Sequence, residues 1–312
     1  MRVVVVGAGM SGLVAGRALQ EAGVDVEIVD KGRSPGGRLA TRRIGGATLD
    51  HGAQFFTVRT PAFQRRVDDW LDRGVVGVWS YGFASGDGHP RYVAPRGMNS
   101  LAKDLAVGLD VSCSTMAFAV RSTPSGDWEV AIDDGSARSA DAVVVTTPLP
   151  QAFALLVDAG IELEQSLMFT DYDRTIAWLA VLDRPPGVVA PGGVQEPTPD
   201  VAFIADNQAK GVSDVPAITL HASPSWSEQH WDDDSDLLLD RLRSLAAPWT
   251  GSAIVVDDQV KKWRFATPRT SWPDPCWASA DGTIVLAGDV FAGPRLEAAH
   301  NSGLAAAHAL TG

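Results

Sequence analysis

The 312-residue sequence predicts an α/β fold built on a parallel sheet and interrupted by a mostly β second domain (α+β), and three observations support it. The first is a β-branched run, Val3 to Val6, that feeds Gly7-Ala8-Gly9-Met10-Ser11-Gly12 and then an apolar helical pattern through Leu13, Val14, Ala18 and Leu19. The second is a pair of continuous apolar runs, Val143 to Val145 and Ile284 to Ala287, of the kind that strands buried on both faces need. The third is a series of short apolar segments after residue 170, separated by Pro, Gly and Asp turns, that reads as a set of strands.

The N-terminal element carries the most information. A second β run, Val24 to Val29, ends in Asp30. Strand, glycine turn, helix, strand and acid stand in the order of the Rossmann-type dinucleotide fingerprint, with the acid about 20 residues after the glycines. Gly7 permits the tight turn, Gly9 lets the backbone approach a pyrophosphate, and Gly12 lets the helix sit close to the strand. The helix N-terminus offers N–H groups and a positive dipole end to the phosphates, and the Asp30 carboxylate accepts from a ribose diol.

The remaining elements follow in chain order. A helix is expected around Phe63 to Leu71, and another after the turn at Pro95-Arg96-Gly97-Met98. Val111 to Val120 and Trp128 to Ile132 read as strands joined through Ser125-Gly126-Asp127, and Asp141 to Thr147 as a buried strand ended by Pro148. Strands at Ile176 to Leu182, Val201 to Ala205 and Ala217 to His221 suggest the β domain, with a helix from Ser235 to Ala246 packed on it. Pro185 to Pro199 is a loop or hairpin, and Ile254 to Phe265 is expected to return the chain to the nucleotide domain. A last helix spans Glu297 to Leu310. The nucleotide domain is therefore placed at 1–58, 97–150 and 275–312, and the second domain at 59–96 and 151–274.

Composition narrows the class. A net charge of −12 argues against a nucleic-acid or anionic-membrane surface. Two cysteines, Cys113 and Cys276, argue against a disulfide framework and fit a cytoplasmic protein. The apolar run at the N-terminus is consumed by the glycine motif, so it is not read as a signal peptide. No run reaches membrane-spanning length, and no spacing suggests a metal site.

The kind of dinucleotide is indicated by two further segments. Lys31 to Arg38 ends in Gly36-Gly37-Arg38, and a late strand closes on Gly288-Asp289 before the last helix. This combination resembles the FAD enzymes that include the amine oxidases, in which the GGR segment lies near the flavin and the late Gly-Asp reaches the ribityl–pyrophosphate region. The resemblance implies a Rossmann-type FAD-binding domain and noncovalent FAD.

Leu49-Asp50-His51-Gly52-Ala53-Gln54-Phe55-Phe56-Thr57 and Tyr92 to Met98 sharpen it, as do Thr146 to Pro150, Leu220-His221-Ala222-Ser223 with Trp226, Lys262-Trp263-Arg264, and Arg295-Leu296-Glu297. In that order they resemble the renalase family, particularly its bacterial members, over nearly the whole chain. The resemblance implies an oxidase that returns 2- and 6-dihydro isomers of NAD(P) to NAD(P)+ by hydride transfer to flavin N5, with O2 reduced to hydrogen peroxide. Such chemistry needs no Ser-His-Asp or metal constellation, because the cofactor carries it.

By matching segments, Ser11, Asp30, Lys31, Arg38, Ala53, Gln54 and Asp289 are assigned to FAD together with Gly7, Gly9, Gly12, Gly37, Gly288, Glu297 and Ala298. His221 is the polar candidate for the substrate, set against the alternative of a core histidine bonded to backbone. Trp226 and Trp263 are candidate pocket walls, against ordinary packing in a β domain. Arg96 and Arg295 are candidates for substrate phosphates, against a surface role. A flavin amine oxidase and a flavin-dependent monooxygenase stay open as alternatives, and the oligomeric state is not legible.

Overall fold

The computed structural model describes residues 1–83, 88–291 and 293–312. They cluster into two compact units: 1–37, 102–171 and 268–312 form the first, 38–101 and 172–267 the second.

The first unit is built on a six-stranded sheet in the order Trp277–Ala278, Ile284–Leu286, Ala142–Val145, Arg2–Val6, Asp25–Asp30, Asp110–Cys113. All neighbours are parallel except the first pair. Val3 to Val6 and Val143 to Val145 are buried, the continuous apolar pattern that a sheet covered on both faces demands. Helix Met10–Glu21 packs against the terminal helix Leu296–Thr311. A Cβ on Gly303 of the terminal helix would stand 2.4 Å from the Ser11 carbonyl oxygen, so only a glycine allows this approach. A three-stranded antiparallel sheet, Ala117–Ser122, Trp128–Ile132 and Ala137–Ala140, completes the unit with helix Leu149–Leu156. The single strand expected over Val111 to Val120 is two strands in two sheets, because Ser114 turns the chain at φ 53.

The second unit centres on a five-stranded sheet in the order Gly193–Thr198, Val201–Asp206, Ala217–Ala222, Tyr172–Leu182, Val255–Pro268. Its side chains alternate with the period of two that a strand imposes. Trp178, Ala180, Leu182, Ile218 and Leu220 pack with Leu238, Leu242 and Ala246 of helix Ser235–Thr250. Leu179, Val181 and Ala217 point the other way and pack with Ile44, Ala47 and Leu49 of the hairpin Thr41–Ile44/Ala47–Asp50. Helix Pro61–Asp72, capped by Thr60, sets Phe63 and Trp70 against Phe56.

The hairpin explains one difference from the expected boundaries. Residues 38–58, read with the nucleotide domain, belong to the second unit because their apolar face is buried on its sheet. Residues 151–171 belong to the first unit. Residues 255–268 form an outer strand of the five-stranded sheet rather than a return to the nucleotide domain. Among the described residues no helix is long and apolar enough to cross a membrane.

Candidate active site

The glycine turn of the first unit is shaped as its sequence predicts. Gly7 adopts φ +110 and donates its N–H to the Val29 carbonyl at 2.8 Å. A Cβ on Gly12 would lie 1.8 Å from the Gly7 carbonyl oxygen, so the helix approaches the turn as closely as backbone allows. Gly9 caps helix Met10–Glu21 without a side chain, no acidic residue occupies the first turn, and a Cβ on Gly9 would meet nothing within 4 Å. An uncapped helix N-terminus over an open glycine cradle suits a pyrophosphate.

The flanking residues brace this cradle. Asp30 accepts from Ala8 N through Oδ2 and from Gly32 N through Oδ1, each at 2.6 Å, so its carboxylate is held rigid beside the turn. Ser11 donates its hydroxyl to the Ala299 carbonyl at 2.7 Å and ties the two helices together. Gly37 lies next to Gly9, with a would-be Cβ 3.5 Å from the Gly9 Cα. Gly288 N–H donates to Ser302 Oγ at 2.9 Å, Glu297 and Ala298 are buried at the start of the terminal helix, and Lys31 is exposed. These residues fit a dinucleotide.

The second unit holds a buried polar cluster of a different kind. Lys210 and Asp50 are both fully buried and pair at 2.8 Å. Asp50 Oδ1 accepts from Thr41 Oγ1 at 2.6 Å and Met98 N at 2.8 Å, which meets the demand of a charge removed from water. Lys210 Nζ also donates to Gln54 Oε1 at 3.3 Å and stands 5.5 Å from the Trp79 ring centroid. Gln54 Nε2 reaches the Asp50 carbonyl at 2.7 Å, the Gly52 carbonyl at 3.2 Å and His221 Nε2 at 3.3 Å. Thr219, on the same sheet face as His221, donates to the Asp50 carbonyl at 3.0 Å.

Burial, then the neighbouring His51 and Lys210, push the pKa of His221 down to about 4. His51 is likewise lowered to about 4, by burial and then Lys261. Both imidazoles are therefore neutral at pH 7. The His51 ring stacks on Trp263 with centroids 5.3 Å apart, and Trp263 Nε1 donates to the His51 carbonyl at 2.7 Å. Phe203 is the cross-strand neighbour of His221 and packs with Phe55, Trp79 and Phe83.

The expected substrate residues separate in this arrangement. His221 and Trp263 are brought together through His51. Trp226 is not: it is 8% exposed in the apolar core against helix Ser235–Thr250, with its ring 4.3 Å from that of His230. Its side chain packs in the core on the other face of the sheet, the alternative of ordinary packing in a β domain, and does not share a wall with Trp263. Arg96 is exposed, and its carbonyl accepts from Arg43 at 3.5 Å. Arg38 lies in the second unit and donates to the Ala266 carbonyl at 3.0 Å, while Ala53 N donates to the Arg38 carbonyl at 2.8 Å. Sequence reasoning missed Lys210, a single lysine in a polar turn with no motif around it. It quoted Asp50, His51 and Phe55 within a segment without giving them roles.

Comparison with known proteins agrees with this architecture. Residues 5–73 match the NAD(P)-binding Rossmann-like domain family, and residues 75–311 match the family of flavin-containing amine oxidoreductases. The chain is 31% identical to renalase of Mus musculus over 172 residues, half of each protein. It is 47% identical to hydroxyneurosporene desaturase of Rubrivivax gelatinosus over 58 residues, 19% of this chain and 11% of that one. Among solved structures, a candidate protoporphyrinogen oxidase from Exiguobacterium sp. 255-15 superposes with a TM-score of 0.75 at 13% identity, covering 99% of this chain and 98% of that one. Wild-type putrescine oxidase bound to putrescine gives a TM-score of 0.66 at 15% identity, covering 99% of this chain and 98% of its own. At such identities the solved structures speak to the fold alone.

Proposed function

Because the chain belongs to the flavin-containing amine oxidoreductase family, we propose that it is an FAD-dependent oxidase of 2- and 6-dihydro isomers of NAD(P), which it returns to NAD(P)+. The observation that carries this reading, beside the similarity to renalase, is the character of the polar cluster. Its buried pair is closed on itself, Lys210 hydrogen-bonded to Asp50 at 2.8 Å, with burial pushing the lysine below its ordinary range and Asp50 opposing that shift. Its two imidazoles are neutral at pH 7. The cluster thus offers structure rather than a strong base. A dihydropyridine regains aromaticity as it gives up hydride, so correct placement is what it requires of the protein.

In this reading Gly7, Gly9, Ser11, Gly12, Asp30, Lys31, Gly37, Gly288, Asp289, Glu297 and Ala298 hold the dinucleotide of noncovalently bound FAD. Arg38, Ala53 and Gln54 are assigned to the same cofactor on the family resemblance. When bound, the flavin supplies the hydride acceptor at N5 and the route of electrons to O2, giving hydrogen peroxide. The half-buried faces of Phe55, Trp79 and Trp263 give a planar ring apolar surface to lie against and keep water from it. The neutral imidazoles put no cation beside the pyridinium product.

Anaerobic mixing of the purified protein with candidate reductants, followed by loss of flavin absorbance, tests the assignment. The 2- and 6-dihydro isomers bleach the flavin fast, and ordinary 4-dihydro-NAD(P)H does so poorly, because a fixed ring carries its hydride out of reach when the reactive carbon moves. Air then yields one hydrogen peroxide per NAD(P)+. Fast reduction by a primary amine, with no response to the dihydro isomers, moves the protein to the amine oxidases. NADPH use coupled to hydroxylation of an added compound moves it to the monooxygenases.

A further inference from the structure

The hydrogens of the buried cluster can be placed by counting donors and acceptors. An ammonium group only donates, and Lys210 Nζ faces Asp50 Oδ2 at 2.8 Å and Gln54 Oε1 at 3.3 Å. The oxygen of the Gln54 amide is thereby on the lysine side. Its NH2 lies on the other side, where the Asp50 carbonyl at 2.7 Å and the Gly52 carbonyl at 3.2 Å demand a donor and hold the same orientation. His221 Nε2 lies 3.3 Å from that NH2, whose two hydrogens are shared among the two carbonyls and the ring. An amide nitrogen does not accept, so a proton on His221 Nε2 would meet no partner there. The lone pair sits on Nε2, and the single proton of the neutral ring is on Nδ1.

We propose that Gln54, oriented by the buried Lys210–Asp50 pair, is a positioning residue that locks His221 in the Nδ1–H tautomer and holds its Nε2 within the protein. Nε2 of His221 then offers a bound substrate no acceptor, which narrows the role that its place in the sequence suggests. This last clause rests on the oxidase reading above; the tautomer does not. The charges around the ring act in the same direction. Beyond burial, His51 and Lys210 disfavour a cation on His221, and burial followed by Lys261 keeps His51 neutral against the opposing pull of Asp50.

The tautomer is read directly by NMR of the protein as purified, with its histidine ring nitrogens labelled with 15N. The chain has six histidines, and the His221 signals are those absent from His221→Gln. The expected pattern is one protonated Nδ1 and one bare Nε2, unchanged between about pH 8 and 5. Gln54→Glu puts an acceptor opposite Nε2 and draws a proton onto it. A wild-type ring protonated at Nε2 overturns the proposal, and so does a folded Gln54→Glu with the tautomer unmoved. A second measurement needs no variant: titrating NAD+ into the holoenzyme leaves the His221 Nε2 shift in place, and a large shift of Nε2 on binding defeats the inference. Because the tautomer is measured without substrate, failure of the proposed reaction leaves it standing. A wrong tautomer likewise leaves the reaction untouched.

Discussion

At the scale of single residues, the buried Lys210–Asp50 pair is the feature with the largest energetic consequence. Two charges without solvent contact are tolerated because each is paired and hydrogen-bonded. Lys210→Met leaves Asp50 charged and unpaired, and is expected to cost about 3–5 kcal/mol. The double change Lys210→Gln with Asp50→Asn removes both charges and costs less. Urea midpoints of the three proteins check the order. The neutral histidines add a pH dependence. His51 and His221 titrate near 4 in the fold against 6.5 in the unfolded chain. The unfolded state therefore binds protons first, and stability present above pH 6.5 is lost as pH falls toward 4. Each such shift is worth on the order of 3 kcal/mol. Thermal melts between pH 7 and 5, above the main carboxylate range, should show the decline, and His221→Gln should flatten it. A midpoint that holds constant to pH 5 counts against neutral burial.

At the scale of elements, two kinds of packing are at work, and they predict different outcomes. The contact of helix Met10–Glu21 with helix Leu296–Thr311 relies on the absence of a side chain at Gly303. Gly303→Ala forces a methyl into the Ser11 carbonyl, strains the helix that bears the fingerprint, and costs about 1–3 kcal/mol with loss of bound FAD. Helix Ser235–Thr250 instead packs by apolar burial, and Leu242 is fully buried among Trp178, Ile204 and Leu220. Leu242→Ala should cost about 2–5 kcal/mol. FAD content of the folded fraction should stay near that of the unchanged protein. Flavin-to-protein absorbance ratios beside melting curves separate the two cases. Equal flavin loss in both variants would show that the Gly303 contact has no special bearing on the cofactor.

At the scale of the whole molecule, the proposed cofactor becomes a ligand coupled to stability. On the proposed reading the cradle binds FAD through backbone N–H groups and a helix end rather than a covalent bond, so acid or boiling should release it intact. Flavin that stays with the denatured polypeptide refutes this. FAD binds the folded state only, so stripping it should lower the melting temperature, and readdition should raise it again with concentration. A melting temperature indifferent to added FAD would point to a cradle that holds something else.

The sequence alone determined the strand–turn–helix–strand unit at the start of this protein. Gly7, Gly9, Gly12 and Asp30 are close in the chain, and a strand–turn–helix–strand unit has few ways to fold, so residue spacing becomes geometry directly. The buried parallel strands were legible for a related reason: Val143 to Val145 and Ile284 to Leu286 are apolar at every position because both faces are covered. Tertiary structure decided the rest. Lys210 meets Asp50 from the far side of the sequence, and no local pattern distinguishes a lysine that will be buried from one that will be solvated. Trp226 and His221 are near neighbours in the chain and serve opposite faces of a sheet, a distinction made by strand register and by the helix that Ser223 caps. Residues 38–58 joined the second unit because apolar area at Ile44, Ala47 and Leu49 is buried there. Local spacing fixes backbone shape, whereas the partner of a charge or an apolar face is chosen by whatever the completed fold brings against it.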